Sequence, residues 1–129
     1  GDHFAQRLGP ALAEDWCFDS FVADVTIGTQ QVGPQQGLFG NLTATGLQRR
    51  PDADWAPAKT FLTAYPSPAT RPGGPPNVSN VNLGEGSAVP NMALMRYGST
   101  ADGDQGIAVY NSDGYVHYLL DVYAVVLAD

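Results

Sequence analysis

Apolar and polar residues alternate most regularly near the C-terminus of the chain. After Gly114, positions Val116, Tyr118, Leu120, Val122, Ala124 and Val126 are apolar, with His117 and Asp121 among the residues between them. Successive strand side chains point to opposite faces, so this period of two predicts a strand over Tyr115–Leu127 with its even-numbered face on a core. Gly106-Ile107-Ala108-Val109-Tyr110 precedes it, and Asn111-Ser112-Asp113-Gly114 lies between. Asn, Ser, Asp and Gly accept the positive φ of a tight reversal, so the expectation is a β-hairpin.

The same pattern recurs upstream. From Trp16 to Gly28, Phe21, Ala23, Val25 and Ile27 alternate with Val22, Asp24 and Thr26, which predicts a first strand. Further strands are expected over Leu38–Thr45, Thr60–Tyr65, Asn77–Leu83 and Ala88–Tyr97. In the last of these Val89, Met92 and Leu94 are expected to point inward, and Pro90 predicts an edge position or a bulge. Pro66 to Pro76 holds five prolines and two glycines and predicts an irregular crossing. About seven to eight short strands with turns at this spacing predict an all-β, antiparallel β-sandwich, with a closed barrel as the lesser option. Residues 16–129 form the expected domain. Residues 1–15, broken by Gly9-Pro10, read as an N-terminal arm, either extended or a short helix.

Composition narrows the setting. The chain has 129 residues, 43% hydrophobic and 15% charged, which suits a folded domain with a core of its own. Thirteen acids against six bases give a net charge of −7, which repels a phosphate backbone and argues against nucleic acid as a partner. No apolar run is long enough to span a membrane, so no membrane insertion is expected. One cysteine, Cys17, excludes an intrachain disulfide; flanked by Trp16 and Phe18, it reads as a buried small hydrophobe, with an interchain bridge as the alternative. The opening Gly1-Asp2-His3, with neither an initiator Met nor a signal peptide, reads as a processed product.

Chemistry-bearing residues are sparse. His117 and Asp121 share a strand face but lie about 13 Å apart along it, too far to bond directly, and no Gly-x-Ser-x-Gly elbow accompanies them. Two histidines and two glutamates offer neither a zinc set nor a paired-carboxylate glycosidase site. Gly73-Gly74 sits among prolines with no helix after it, so it cradles no phosphate. The chain therefore reads as non-enzymatic. No cofactor is expected; Asp102, Asp104 and Asp113 are a candidate Ca²⁺ set, set against the commoner reading of acidic turns as purely conformational, and no EF-hand spacing is present. Trp55, Tyr65, Tyr97, Tyr115 and Tyr123 offer flat faces near loops; Trp55, Tyr97, Tyr115 and Tyr123 are the candidate ligand or interface residues, with core packing the competing role. Asn41-Leu42-Thr43 and Asn77-Val78-Ser79 have the form of glycosylation sequons.

Several segments taken in order resemble a repeat module of secreted and cell-surface actinobacterial proteins. They are Asn41-Leu42-Thr43-Ala44-Thr45, Phe61-Leu62-Thr63-Ala64-Tyr65-Pro66, Arg71-Pro72, Ser79-Asn80-Val81-Asn82-Leu83, Gly86, Val89-Pro90-Asn91, Val109-Tyr110-Asn111-Ser112, Gly114, Val116-His117 and Asp121-Val122. The likeness spans residues 22–126. It departs at Tyr123-Ala124, where the family has Gly-Tyr, and at residues 46–59, which read as an insertion. The resemblance implies an extracellular, non-catalytic structural or interaction module that meets a protein partner or assembles with itself through sheet edges, arm and loops. A cell-wall glycan-binding module and a phage decoration or tail domain are the alternatives.

Overall fold

The computed structural model describes residues 7–18, 26–27, 30–31, 35–51, 59–76 and 80–127, and every regular element among them is a strand. In one antiparallel sheet the order is β1 (Leu12–Cys17), β9 (Gln105–Asn111), β5 (Lys59–Pro66) and β6 (Val81–Gly84), with β8 (Gly98–Ser99) also pairing β9. In the other, β4 (Gln35–Gln48) runs between β10 (Tyr115–Leu127) and β7 (Ala88–Arg96). β2 (Thr26–Ile27) and β3 (Gln30–Gln31) form a separate short ladder. The two larger sheets pack face to face as a β-sandwich and do not close into a barrel.

The core is the sum of the two inner faces. β4 contributes Leu38, Leu42, Ala44 and Leu47, and β10 contributes Val116 and Tyr118, with Leu120 and Val122 packed beside them. Leu62, Val81, Leu83, Ile107 and Val109 answer from the other sheet, and Leu8 closes one end. This is the alternation that the sequence predicts for the first half of β10. Beyond it the pattern breaks. The register slips between Val122 and Ala124, so that Val122 opposes Gly40 while Ala124 opposes Phe39. A bulge adds one residue and reverses which parity faces inward. Val125 therefore lies opposite the fully buried Leu38, and Ala124 is exposed, contrary to the expectation for the even positions.

Three further expectations change. The strands around Asn111-Gly114 do not form a hairpin: β9 is flanked by β1 and β5, so no edge is left for β10, which joins the opposite sheet beside β4. The turn residues do reverse the chain, with Gly114 at φ +65°, but as an arch between sheets. In β7 the odd positions face the core, with Met95 buried and Val89 and Ala93 packed on it, whereas Met92 and Leu94 are exposed. Pro90 does sit in an edge strand, since β7 pairs with β4 and ends its sheet. The first described strand is Leu12–Cys17; of the strand expected over Trp16–Gly28, Thr26–Ile27 pairs with β3, and residues 19–25, with Phe21, Ala23 and Val25, lie outside the described residues. Of the expected arm, Leu8 bonds Val116 through both backbone groups, and β1 zips along β9. Cys17 is exposed and free, not buried.

The outer faces of the two sheets differ. Over the β1-β9-β5-β6 sheet the proline-rich connection is fastened down: Tyr65 donates its hydroxyl to the Ala69 carbonyl at 2.8 Å. Asp15 Oδ1 accepts the Ser67 hydroxyl at 2.6 Å and the Ala69 N–H at 2.9 Å. Tyr65, Thr63 and Ala108 are buried on that face as a result. The approach is close enough that a Cβ on Gly98 would stand 2.1 Å from the Ser67 carbonyl oxygen, so only glycine fits there.

One buried amide joins the pieces. Asn111, with no exposed surface, donates from Nδ2 to the carbonyls of Leu8 at 2.9 Å, Gly9 at 3.1 Å and Gly114 at 2.9 Å. Its Oδ1 accepts the Thr60 hydroxyl, whose oxygen in turn takes the Asp113 N–H at 3.1 Å. Substituting Asn111→Ala removes the shared donor from the Leu8, Gly9 and Gly114 carbonyls and the acceptor from the Thr60 hydroxyl; a buried group left unpaired costs about 1–3 kcal/mol. The expected loss of unfolding free energy is about 3 kcal/mol or more, read from the urea midpoint at unchanged m-value; a loss below about 1 kcal/mol would contradict the assignment.

Candidate functional site

The uncovered outer face of the β10-β4-β7 sheet holds the candidate site. Side chains directly opposite across neighbouring strands share a face. Phe39 lies between Leu94 and Ala124, Asn41 between Met92 and Asp121, and Thr43 between Pro90 and Leu119. Tyr123, the extra residue of the bulge, stands beside the first row. Leu94 is 70% exposed, Tyr123 65%, Met92 42%, Phe39 40% and Leu119 39%. Single apolar residues on a surface are ordinary, but several on one sheet face, with Met92, Leu94, Phe39 and Tyr123 in adjoining rows, mark a contact surface. At one end His117 lies over Gly46, where Arg7 donates from Nε to the Gly46 carbonyl at 2.9 Å. Burial, reinforced by the nearby Arg7 charge, holds the His117 imidazole below its usual pKa.

The predicted interface residues scatter. Tyr123 joins this face. Tyr115 is 36% exposed and packs near Gly9; eight residues of strand, about 26 Å, separate the two. Tyr97 braces the interior, stacked on Phe18 at 5.6 Å with its hydroxyl toward Gln35 Oε1 at 3.2 Å, and burial raises its pKa. Trp55 lies outside the described residues, as does the sequon at 77–79. Phe39, Met92, Leu94 and Leu119 are absent from the sequence-based site. Their signal is there, however: Ala88-Val89-Pro90-Asn91-Met92-Ala93-Leu94-Met95 is apolar at both parities, as only a strand covered on both faces needs to be.

The acidic set does not converge. Asp102 and Asp104 precede β9 and Asp113 follows it, so the seven-residue strand, about 20 Å long, separates them. Asp113 is engaged locally, pairing with Arg50 at 3.0 Å and accepting the Gly114 N–H at 2.8 Å. Among the described residues no three His, Cys, Asp or Glu side chains gather closely enough to hold a metal ion. Calcium or EDTA is accordingly expected to leave the melting temperature unchanged within about 1 °C; an upward shift that grows with calcium concentration would reveal a site.

A second feature is an apolar cleft of about 160 Å³ between β1 and β10, lined by Trp16, Phe18, Ile107, Val109, Tyr118 and Val122 among others. At its wall Trp16 Nε1–H donates to the Tyr118 oxygen, and the Tyr118 hydroxyl donates to Glu14 Oε1. Burial, followed by that bond to Glu14, raises the Tyr118 pKa far above the usual phenol value. The folded state therefore keeps a proton that the unfolded chain releases near pH 10, so stability falls as pH rises through that value. In an alkaline spectrophotometric titration, folded wild type and Tyr118→Phe are expected to ionise equal numbers of phenols up to about pH 11, and to differ by one in denaturant. A missing step in the folded variant would show Tyr118 to be accessible.

The chain matches no protein-family model, no curated protein and no solved structure. No helix among the described residues is long and apolar enough to cross a membrane.

Proposed function

We propose that the chain is a non-catalytic structural or interaction module whose contact surface is the outer face of the β10-β4-β7 sheet. The observation that carries this reading is the in-register cluster of Phe39, Met92, Leu94, Leu119 and Tyr123, left open to solvent while the other sheet's outer face is partly covered by the proline-rich connection and keeps Phe61, 36% exposed, as its one exposed large hydrophobic among the described residues. Burying such a cluster contributes roughly 25 cal/mol per Å² of apolar surface, a driving force that needs no reacting group. The resemblance of residues 22–126 to secreted modules supports an extracellular setting, as part of a surface or secreted assembly.

A glycan-binding role is the second reading, favoured by Tyr123 and Phe39 standing near Asn41, Thr43 and Asp121 on one face. Aromatic faces beside hydrogen-bonding groups suit sugar rings.

Hydroxyl-radical footprinting separates a contact surface from a merely exposed one. In the dilute isolated chain Met92 and Tyr123 are expected to label strongly and Met95, 5% exposed, weakly. In a cell-surface or culture extract of its source, Met92 and Tyr123 are expected to lose labelling several-fold. Equal labelling of both residues in the two settings would exclude this face as the contact.

A further inference from the structure

The contact-surface reading leaves the partner open; resting on it, we infer that the partner is a second copy of this chain, docked face to face about a two-fold axis running along β4. Charge selects this face for a like-charged copy. Among the described acids, Asp121 is the one on it: Glu14 and Asp15 are on β1, and Glu85, Asp102, Asp104 and Asp113 lie in turns or the arch. Arg7, beside His117, and Arg96, at the end of β7, flank the face at opposite ends. A chain of net charge −7 meets itself here with the least repulsion.

The rows are self-complementary about that axis. A two-fold along the central strand lays β10 of one copy over β7 of the other, and a C2 contact uses the same patch twice. Phe39 then meets Phe39, Leu94 meets Tyr123 and Ala124, and Leu119 meets Pro90, so four of the five patch residues face apolar ones. Asp121 faces Met92 rather than another acid. With strands about 4.8 Å apart and sheets about 10 Å apart, the two Asp121 residues stay about 14 Å from one another, beyond the screening length of about 10 Å at 0.1 M salt.

The area is sufficient. At these exposures the five large side chains each present on the order of 100 Å², about 500 Å² together, which suits the apolar centre of a standard interface of about 800 Å² per partner. Asn41 and Thr43, in the same rows, supply polar contacts.

Sedimentation velocity across a concentration series tests the inference. Wild type is expected to pass from monomer to dimer in the micromolar range. The double variant Leu94→Asp/Tyr123→Asp is expected to weaken association at least tenfold with an unchanged circular dichroism spectrum. Leu12→Asp, at a 55% exposed position on β1, is expected to dimerise as wild type does. If the double variant unfolds, Leu94→Ser and Tyr123→Ser are used in its place. In a Cys17→Ser background, Thr43→Cys lies on the axis and is expected to cross-link to its own copy with a short bis-maleimide.

Wild type that stays monomeric at several hundred micromolar overturns the inference, as does a folded patch variant that dimerises normally. A dimer that forms without the Thr43→Cys cross-link overturns the stated axis. Monomeric behaviour with footprint protection of Met92 and Tyr123 removes the second copy as partner but leaves the contact surface standing; loss of that protection removes both.

Discussion

The side-chain amide of Asn111 fixes what apolar packing alone leaves loose. Burial of Leu38, Leu42, Leu62 and Ile107 holds two sheets together, but the hydrophobic effect is non-directional and does not say how one sheet is placed along the other. Asn111 supplies direction. It closes the arch through the Gly114 carbonyl, reaches the Leu8-Gly9 backbone, and takes the Thr60 hydroxyl from β5. The end of the sandwich, with the Leu8–Val116 bridge that covers it, is therefore positioned by donors and acceptors sealed from water. Such groups are costly to leave unmade, which makes the arch a rigid joint rather than a pliable loop.

From that joint the two outer faces take different fates. Asp15, Ser67, Ala69 and Tyr65 bind the proline-rich connection across one sheet, and the chain satisfies that face itself. Among the described residues, no segment covers the other sheet in this way. The bulge at Tyr123 turns one more aromatic ring outward just where Phe39 and Leu94 already lie. The asymmetry ties the fold to the proposed function, because among the described residues the β10-β4-β7 face exposes the larger apolar cluster, while Phe61 stays open on the other.

The sheet class was legible because period-two alternation is strong in β4 and the first half of β10. What stayed hidden depends on non-local facts. Turn chemistry at Asn111-Gly114 reports a reversal, but occupancy of both edges of β9 decides that the outgoing strand changes sheets. Val122-Tyr123-Ala124-Val125-Val126 is apolar throughout, so no pattern marks the bulge. In β7 the larger side chains, Met92 and Leu94, sit on the outer parity, and size misleads where two apolar faces compete. The acidic turns failed as a set because closeness in a list of turns is not closeness in space: β9 lies between them.

An edge-to-edge assembly and a face-to-face assembly make different demands on this chain. Edge addition needs free backbone donors and acceptors, yet Pro90 removes a donor from β7, and Leu8 occupies both backbone groups of Val116 on β10. β1, part of the expected pairing arm, is already paired along one side with β9. Those edges are partly spent or blunted, whereas the face between them keeps its bulk apolar. A protein protected only against aggregation would place charges on that face, as the flanking turns do with Glu85, Asp102 and Asp104. Side chains rather than backbone are thus left to make the contact, and side-chain contact on a flat sheet favours a stacked partner over an added strand.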